Sequence, residues 1–435
     1  MNDFIPLIVV IIFIALFYNI FRASYKGGLR NNLLNYFLIT TFIIYLIITP
    51  IVYFYTNQFM AFQMNVKDYF GIGFLQILLH LFFYNFGYFC LLRSSKNSGK
   101  FTDIKKRIAF GNQIEFKILM IFLIIFSSVF INTLSVGINL IDVVLGKFGD
   151  PTLGLKGGSY YIQNLADSLI GILIIAYYFK IKPKYFYFML LLSLPLFLVL
   201  GFRYRLILTF FGIVLVYIFD NKLGFKSLIK YLMILGISFY CLILLTQNRT
   251  AIYMQKYENI TFNISEFDYE IIFSQSRGSM IDFAVYQHFG NGKANIDFGE
   301  TMFGYIFIKM LPASFFKSGV KPYPPPSFYV IDDAINGTRD NGEAVTSLGG
   351  TFIAFYYPGI YFFAFILGCA IAKLQNRIEK TYFSFLGGVL TVLAIFQWVT
   401  RGYFPQFIDH LAYILFPLIL LNMFSRKEIA KSVIK

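Results

Sequence analysis

Charge is scarce in this chain: Asp, Glu, Lys and Arg together make up 14% of its 435 residues. The net charge of +15 is therefore no nucleic-acid footprint, because the basic residues do not gather on one exposed face but sit in short loops between apolar segments. Cysteine is as sparse. Cys90, Cys241 and Cys369 lie far apart inside apolar stretches with no CxxC spacing, which excludes a disulfide framework and a zinc site. The three histidines are scattered and form no metal-ligand cluster, so neither a metal nor another cofactor is expected. A basic leader is missing too: the first apolar run, 4 to 20, is preceded by Asp3 and followed by Arg22, Lys26 and Arg30, which reads as a retained span rather than a cleaved signal. The glycines of GDPTLGLKGGS do not match a P-loop.

What is abundant is apolar surface. The chain is 58% hydrophobic and 20% aromatic with a mean hydropathy of +0.67, far outside the balance of a soluble domain. A spanning helix needs about 20 apolar residues. Eleven segments qualify, roughly 4 to 20, 33 to 55, 69 to 92, 116 to 136, 160 to 180, 185 to 201, 204 to 219, 230 to 246, 349 to 371, 383 to 400 and 405 to 424. The expected fold is an all-α polytopic integral membrane protein of about 11 transmembrane helices with a large external loop. Its parts are an N-terminal bundle of about eight spans (1–246), the loop (247–348), and a C-terminal bundle of about three spans with a tail (349–435).

Positive charge sets the orientation. RASYKGGLR, RSSKNSGKFTDIKKR, KIKPK, DNKLGFKSLIK, KLQNRIEK and the tail SRKEIAKSVIK all fall on one side if there are eleven spans. That side is the cytoplasm, which leaves the N-terminus and the large loop external and the C-terminus cytoplasmic. The same alternation splits the sixth span from the seventh at GFRYR, because a single helix there would place every later basic loop outside. Trp398, near the external end of the tenth span, suits an interfacial aromatic belt.

Mid-membrane charge is nearly absent from these spans, which argues against an ion-coupled transporter. His80 is the clearest polar residue inside a span and reads as a hydrogen-bonded packing residue; Asp167 lies near the external end of the fifth span. No inverted repeat is visible. Within the large loop, ISEFDYEIIFSQSR reads as a short amphipathic helix that Gly278 ends or bends. TMFGYIFIKMLPASFF (301–316) is too short to span and too apolar to be solvated, and fits an interfacial or re-entrant helix. KPYPPPS forms an elbow, and IDDAINGTRDNGEAVTSLGG a polar, flexible approach to the ninth span.

Six arginines lie outside at span ends or in the loop: Arg203, Arg205, Arg249, Arg277, Arg339 and Arg401. Arginine presents a permanently charged fork of donors that matches phosphate oxygens. Placed against the positive-inside trend, the six suggest an anion held at the outer surface; the other reading pairs them with Asp282, Asp332, Asp333 or Glu343.

With these features in place, the whole chain resembles the oligosaccharide-repeat-unit polymerases of bacterial O-antigen and capsule assembly, the Wzy family. The residues that carry the resemblance are the arginine after a glycine-containing span end (GFRYR), the arginine at the outer end of a late span (TRGYF), and the one large external loop. A family pattern that sets Gly eleven residues after a loop Arg is met by Arg339 and Gly350, but has no counterpart at Gly149 or Gly157. The resemblance implies a GT-C-like fold and an inverting, metal-independent glycosyltransferase at the outer face of the bacterial inner membrane. Its partners would be undecaprenyl-pyrophosphate-linked glycan donor and acceptor, membrane lipid, a chain-length regulator and a flippase. In that chemistry Arg203, Arg205 and Arg401 would meet the pyrophosphate, with Arg249, Arg277 and Arg339 in reserve. His288, Asp282 and Glu343 are the candidate bases for the acceptor hydroxyl; His288 has the suitable reference pKa near 6.5. The tyrosines of YQHF and PYPPPSFY would stack on sugar rings. A lipid-linked oligosaccharide flippase or exporter and an O-antigen ligase are the alternatives. A membrane acyltransferase fits less well, since an intramembrane His paired with Arg or Asp is missing, and so is an HxxxxD motif.

Overall fold

The computed structural model describes residues 4–27, 32–92, 111–135, 160–199, 204–221, 277–317, 322, 325–335, 344–378 and 380–433. In chain order the α-helices of six or more described residues are α1 (Ile5–Gly27), α2 (Leu33–Phe42), α3 (Thr49–Tyr55), α4 (Phe70–Leu91), α5 (Gly111–Ser135), α6 (Asp167–Tyr178), α7 (Pro183–Val199), α8 (Tyr204–Asp220), α9 (Gly278–Gly290), α10 (Tyr305–Met310), α11 (Pro326–Ile335), α12 (Ser347–Gln375), α13 (Tyr382–Arg401) and α14 (Phe404–Val433), and a shorter one, Tyr160–Asn164, precedes α6. A two-residue pairing, β1 (Met60–Ala61) with β2 (Met64–Asn65), closes the turn between α3 and α4.

Among the described residues, seven helical segments are long and apolar enough to cross a membrane: Ile5–Tyr25, Leu33–Tyr55, Lys67–Leu91, Gln113–Ser135, Ser347–Gln375, Tyr382–Arg401 and Phe404–Phe424. They coincide with the first four and last three expected spans, and the protein is an all-α, multi-pass membrane protein. The fifth and sixth expected spans are shorter apolar helices, Ile162–Tyr178 and Pro183–Phe197. The seventh is the 17-residue α8, and the eighth, at 230–246, lies outside the described residues. Residues 200–203, which separate α7 from α8, also lie outside them.

The pattern of α1 shows why these segments are lipid-facing helices. Ile5, Val9, Ile12, Leu16, Asn19 and Ala23 recur every three to four residues and are buried, while Leu7, Val10, Phe13, Ile14, Phe17 and Phe21 are exposed. A helix that is apolar on its uncovered face as well as its packed one is built for hydrocarbon rather than water.

The chain forms two compact units. The first comprises 1–98, 273–378 and 394–409; the second comprises 99–272, 379–393 and 410–435.

In the first unit α4 and α12 cross backbone to backbone. A Cβ on Gly87 would lie 2.2 Å from the carbonyl oxygen of Phe365, and one on Gly368 would lie 2.2 Å from that of Tyr84, so only glycine permits the approach. Beside this crossing runs a polar ladder: Asn35 donates to Asn19 (2.7 Å), Asn19 to Asn85 (2.5 Å), and Tyr84 to Asn35 (2.7 Å). Inside hydrocarbon such amides find partners in one another, which ties α1, α2 and α4 together. Two helices are broken by proline. Residues 43–48 widen to a π-helix just before Pro50, which has no N–H for the preceding turn. Two residues ahead of Pro358, Tyr356 takes φ 59° and ψ −158°, a region close to glycine-only, and α12 kinks there.

The large loop is not only surface. Gly278 begins a helix instead of ending one, and ten of the thirteen residues of α9 are buried; Phe283 fills the notch left by Gly73. The YQHF tyrosine and His288 point into this packing, so Tyr286 is a core residue rather than an open stacking platform. Pro326 is the first residue of α11: its missing N–H is one that a first helical turn leaves without an intrahelical acceptor, so the end of the proline elbow starts a helix that runs through IDDAI. The 301–316 segment is a π-helical turn (Glu300–Gly304), α10 and a 3-10 turn (Ala313–Phe315), and leaves Phe303, Phe307, Met310 and Phe315 exposed. Lys309 of α10 pairs with Asp409. Trp398 does not face an aromatic belt: it is buried against Phe363, Phe404 and Phe407. His80 is buried edge-on to Phe42, and neither ring nitrogen has a hydrogen-bond partner among the described residues, in contrast to the expectation of a hydrogen-bonded packing histidine.

In the second unit α6 is the central helix, with eleven of its twelve residues buried. Gly171 admits the backbone of α14, where its Cβ would lie 2.2 Å from the carbonyl oxygen of Ile414, and the Ser168 hydroxyl donates to the Tyr413 carbonyl at 2.6 Å. Gly212 of α8 leaves room for Ile174, and Phe219 stacks on Phe385 with centroids 4.0 Å apart.

Candidate functional site

Three helices of the second unit bring ionisable side chains to one place. Asp167 is the first residue of α6, Tyr204 and Arg205 open α8, and His410 is the seventh residue of α14. Arg205 Nε donates to Asp167 Oδ1 at 2.6 Å, and His410 Nδ1 stands 2.8 Å from Oδ2. The Tyr204 hydroxyl donates to both oxygens, at 3.0 and 3.2 Å. The cluster is sealed: the side chains of Asp167, Arg205 and His410 are 6%, 2% and 1% exposed.

Two effects place an acid here. Burying a carboxylate costs several kcal/mol unless a cation and further donors surround it, and Arg205, His410 and Tyr204 supply both. The starts of α6 and α8 also add the positive ends of their backbone dipoles. A ring nitrogen facing a carboxylate carries the proton, which leaves Nε2 of a neutral His410 with its lone pair. That nitrogen is buried and has no hydrogen-bond partner among the described residues. A histidine oriented by an acid on one side and carrying an unengaged nitrogen on the other is the arrangement of a general base.

The first unit holds a second constellation, where the starts of α9 and α12 meet. A Cβ on Gly278 would lie 3.0 Å from Thr346 Cγ2 and 3.1 Å from the Ala344 carbonyl oxygen. Gly402, at φ 63°, closes the same corner: its Cβ would lie 2.4 Å from the Thr346 carbonyl oxygen, and Gly350 rests on Gly402 in turn. Asp282 of α9 accepts the Thr346 N–H at 2.9 Å and its hydroxyl, and Thr346 caps α12 by accepting from Leu348 N. Burial pushes the Asp282 carboxyl up to about 7, against the pull of its hydrogen bonds from Thr346 and Gly349. The Arg277 guanidinium lies 5.4 Å from the centroid of the Phe62 ring.

Of the residues expected to bind pyrophosphate, Arg205 is withdrawn into the bundle as the partner of Asp167, Arg277 stands at the α9 start, and Arg401 ends α13 exposed. Arg203, Arg249 and Arg339 lie outside the described residues. Of the expected bases, Asp282 is engaged by Thr346, the cap of α12. His288 is buried in the last turn of α9, and burial holds its pKa below the ordinary value against the raising effect of the Asp333 charge; Glu343 lies outside the described residues. Asp282 and His288 share α9, but six residues apart they face different sides.

The sequence reading missed His410 as a functional candidate and left Asp167 undecided. The intramembrane His with a paired Asp and Arg, expected to be missing, is present as His410, Asp167 and Arg205. The signal was polar residues within the first two turns of a span, as in FIDHLAY, but the partners are 243 residues apart and no local spacing links them. Comparisons with protein-family models, with curated proteins and with solved structures find no match for this chain.

Proposed function

We propose that this protein polymerises undecaprenyl-pyrophosphate-linked oligosaccharide repeat units into O-antigen or capsular polysaccharide at the outer face of the bacterial inner membrane. The observation that carries the reading is the Asp167–His410 pair, sealed beside Arg205 near the starts of membrane helices. In this reading the acceptor hydroxyl oxygen attacks the anomeric carbon of the donor with inversion. Its proton passes to Nε2 of His410, and the anomeric carbon–oxygen bond to the lipid pyrophosphate breaks. Asp167 stabilises the imidazolium that forms and Arg205 positions Asp167, while the departing pyrophosphate leaves with its charge at the membrane surface. Because His410 is buried in the free protein, substrate must part the helix starts to reach it.

The same burial favours a second reading, a lipid-linked oligosaccharide exporter in which the intramembrane acid and histidine carry protons. Deleting the gene and profiling the surface glycan separates the readings. Single capped repeats without long chains support a polymerase; loss of all surface glycan with repeats trapped inside supports the exporter. Full-length chains that lack acyl groups would indicate an acyltransferase, and unchanged glycan would overturn all three.

A further inference from the structure

We infer that the junction of α9 and α12 in the first unit is a binding site for a phosphate-class oxyanion, held by Arg277, Ser279 and Ser347. It stands whether or not the chain is a polymerase.

The junction is built from donors. Gly278 and Ser347 are the first residues of their helices, and the first-turn N–H groups of any helix have no acceptor within it. Two such starts packed against each other concentrate those groups and the positive ends of two backbone dipoles. Most of those N–H groups have acceptors outside the regular ladder or at the helix edge: Met280 and Ile281 donate to the Arg277 carbonyl, Thr346 and Gly349 to Asp282, Leu348 to the Thr346 hydroxyl and Gly350 to the Thr346 carbonyl. The Ser279 and Ser347 side chains are not satisfied in this way: they are 1% and 2% exposed, and neither hydroxyl has a hydrogen-bond partner among the described residues. The same holds for Nε of Arg277, the residue before Gly278, although its guanidinium lies near the Phe62 ring. Sealed polar atoms without partners are uncommon in folded proteins, and three within one corner point to a shared acceptor.

The donor set selects the ligand. Two hydroxyls and a guanidinium, drawn from the starts of two helices, match the several oxygens of a tetrahedral anion and offer little to a cation. Asp282 is the opposing charge across the junction, and its raised pKa leaves it partly neutral near pH 7. The oxyanion belongs either to a lipid headgroup or to free phosphate.

The test uses the full chain in lipid nanodiscs and calorimetric titration with inorganic phosphate, inorganic pyrophosphate and farnesyl pyrophosphate. Wild type should bind at least one of these probes, and the S279A/S347A double variant should bind it at least 10-fold more weakly. R277Q should lose more than R277K. Tighter binding of the farnesyl probe than of pyrophosphate assigns the site to a lipid headgroup, and equal binding to a free anion. Removing two unpartnered hydroxyls should leave the melting temperature unchanged or raised. A double variant that binds all probes as wild type does, a wild type that binds none of them, or a double variant that melts well below wild type because its hydroxyls had protein partners would each overturn the inference.

Discussion

Asp167 and His410 are 243 residues apart in the chain and 2.8 Å apart in the fold, and Arg205 holds the other carboxylate oxygen at 2.6 Å. All three are buried, so removing Asp167 or Arg205 leaves the other charge without its ionic partner in a medium that solvates it poorly. Breaking such a pair from one side costs about 3–5 kcal/mol, whereas replacing both sides by apolar residues of similar volume is often neutral. D167L and R205M should each lower the thermal midpoint of the purified protein, and D167L/R205M should lower it by less than the sum. Additive losses would show that the two side chains are not coupled.

His410 separates chemistry from stability. Gln in its place keeps a polar group near Asp167 but cannot take a proton. General-base catalysis contributes about 10²- to 10⁴-fold. H410Q should therefore reduce chain extension by about that factor in a glycan-ladder assay while membrane insertion and melting stay close to wild type. A variant that extends chains at the wild-type rate would remove His410 from the mechanism.

Asp282 gives the first unit a pH dependence of definite sign. Its folded pKa, about 7, stands above the ordinary value of 3.8, so between these pH values the folded state holds a proton that the unfolded state has released. Stability therefore falls as pH rises from about 4 to about 7 and levels off above, by an amount on the order of a few kcal/mol. D282N can still accept from the Thr346 N–H and offers its amide to the Thr346 hydroxyl, yet does not titrate. Melting curves from pH 4.5 to 8 should slope for wild type and flatten for D282N; parallel curves would show that Asp282 titrates normally.

The membrane architecture was largely legible because it rests on local pattern: seven runs of about 20 apolar residues are seven long apolar helices. What depends on distant partners was not. Arg205 looked like a surface cation because its acid, Asp167, lies 38 residues away on another helix. Trp398 looked interfacial because it ends a span, but Phe363 and Phe407 cover it. Gly278 looked like a helix end because glycine usually is one; here the missing Cβ lets the start of α9 rest on Thr346. Loop 247–348 read as external, with short interfacial or amphipathic helices, because no run within it was long enough to span. A 13-residue helix buried among α3, α4, α11 and α12 needs no such length, since protein rather than lipid surrounds it.

The crossing of α4 and α12 makes the last prediction, and it is reciprocal. Gly87 takes the carbonyl of Phe365 and Gly368 takes the carbonyl of Tyr84, each at 2.2 Å from the place a Cβ would occupy. Backbone cannot yield as a side-chain tip can, so even alanine must push the helices apart at either position. Overpacking of this kind typically costs about 1–3 kcal/mol. The displacement would also strain the nearby ladder, because Tyr84 sits on the same turn and donates to Asn35. G87A and G368A should each lower the melting temperature. Because either substitution forces the same separation, the double variant should lose less than the sum of the two. Gly387 provides the contrast: the nearest atom to its Cβ position is Leu418 Cδ2 at 3.9 Å, so G387A should melt like wild type or slightly above it. Equal melting temperatures for G87A, G368A and G387A would mean that α4 and α12 do not meet backbone to backbone.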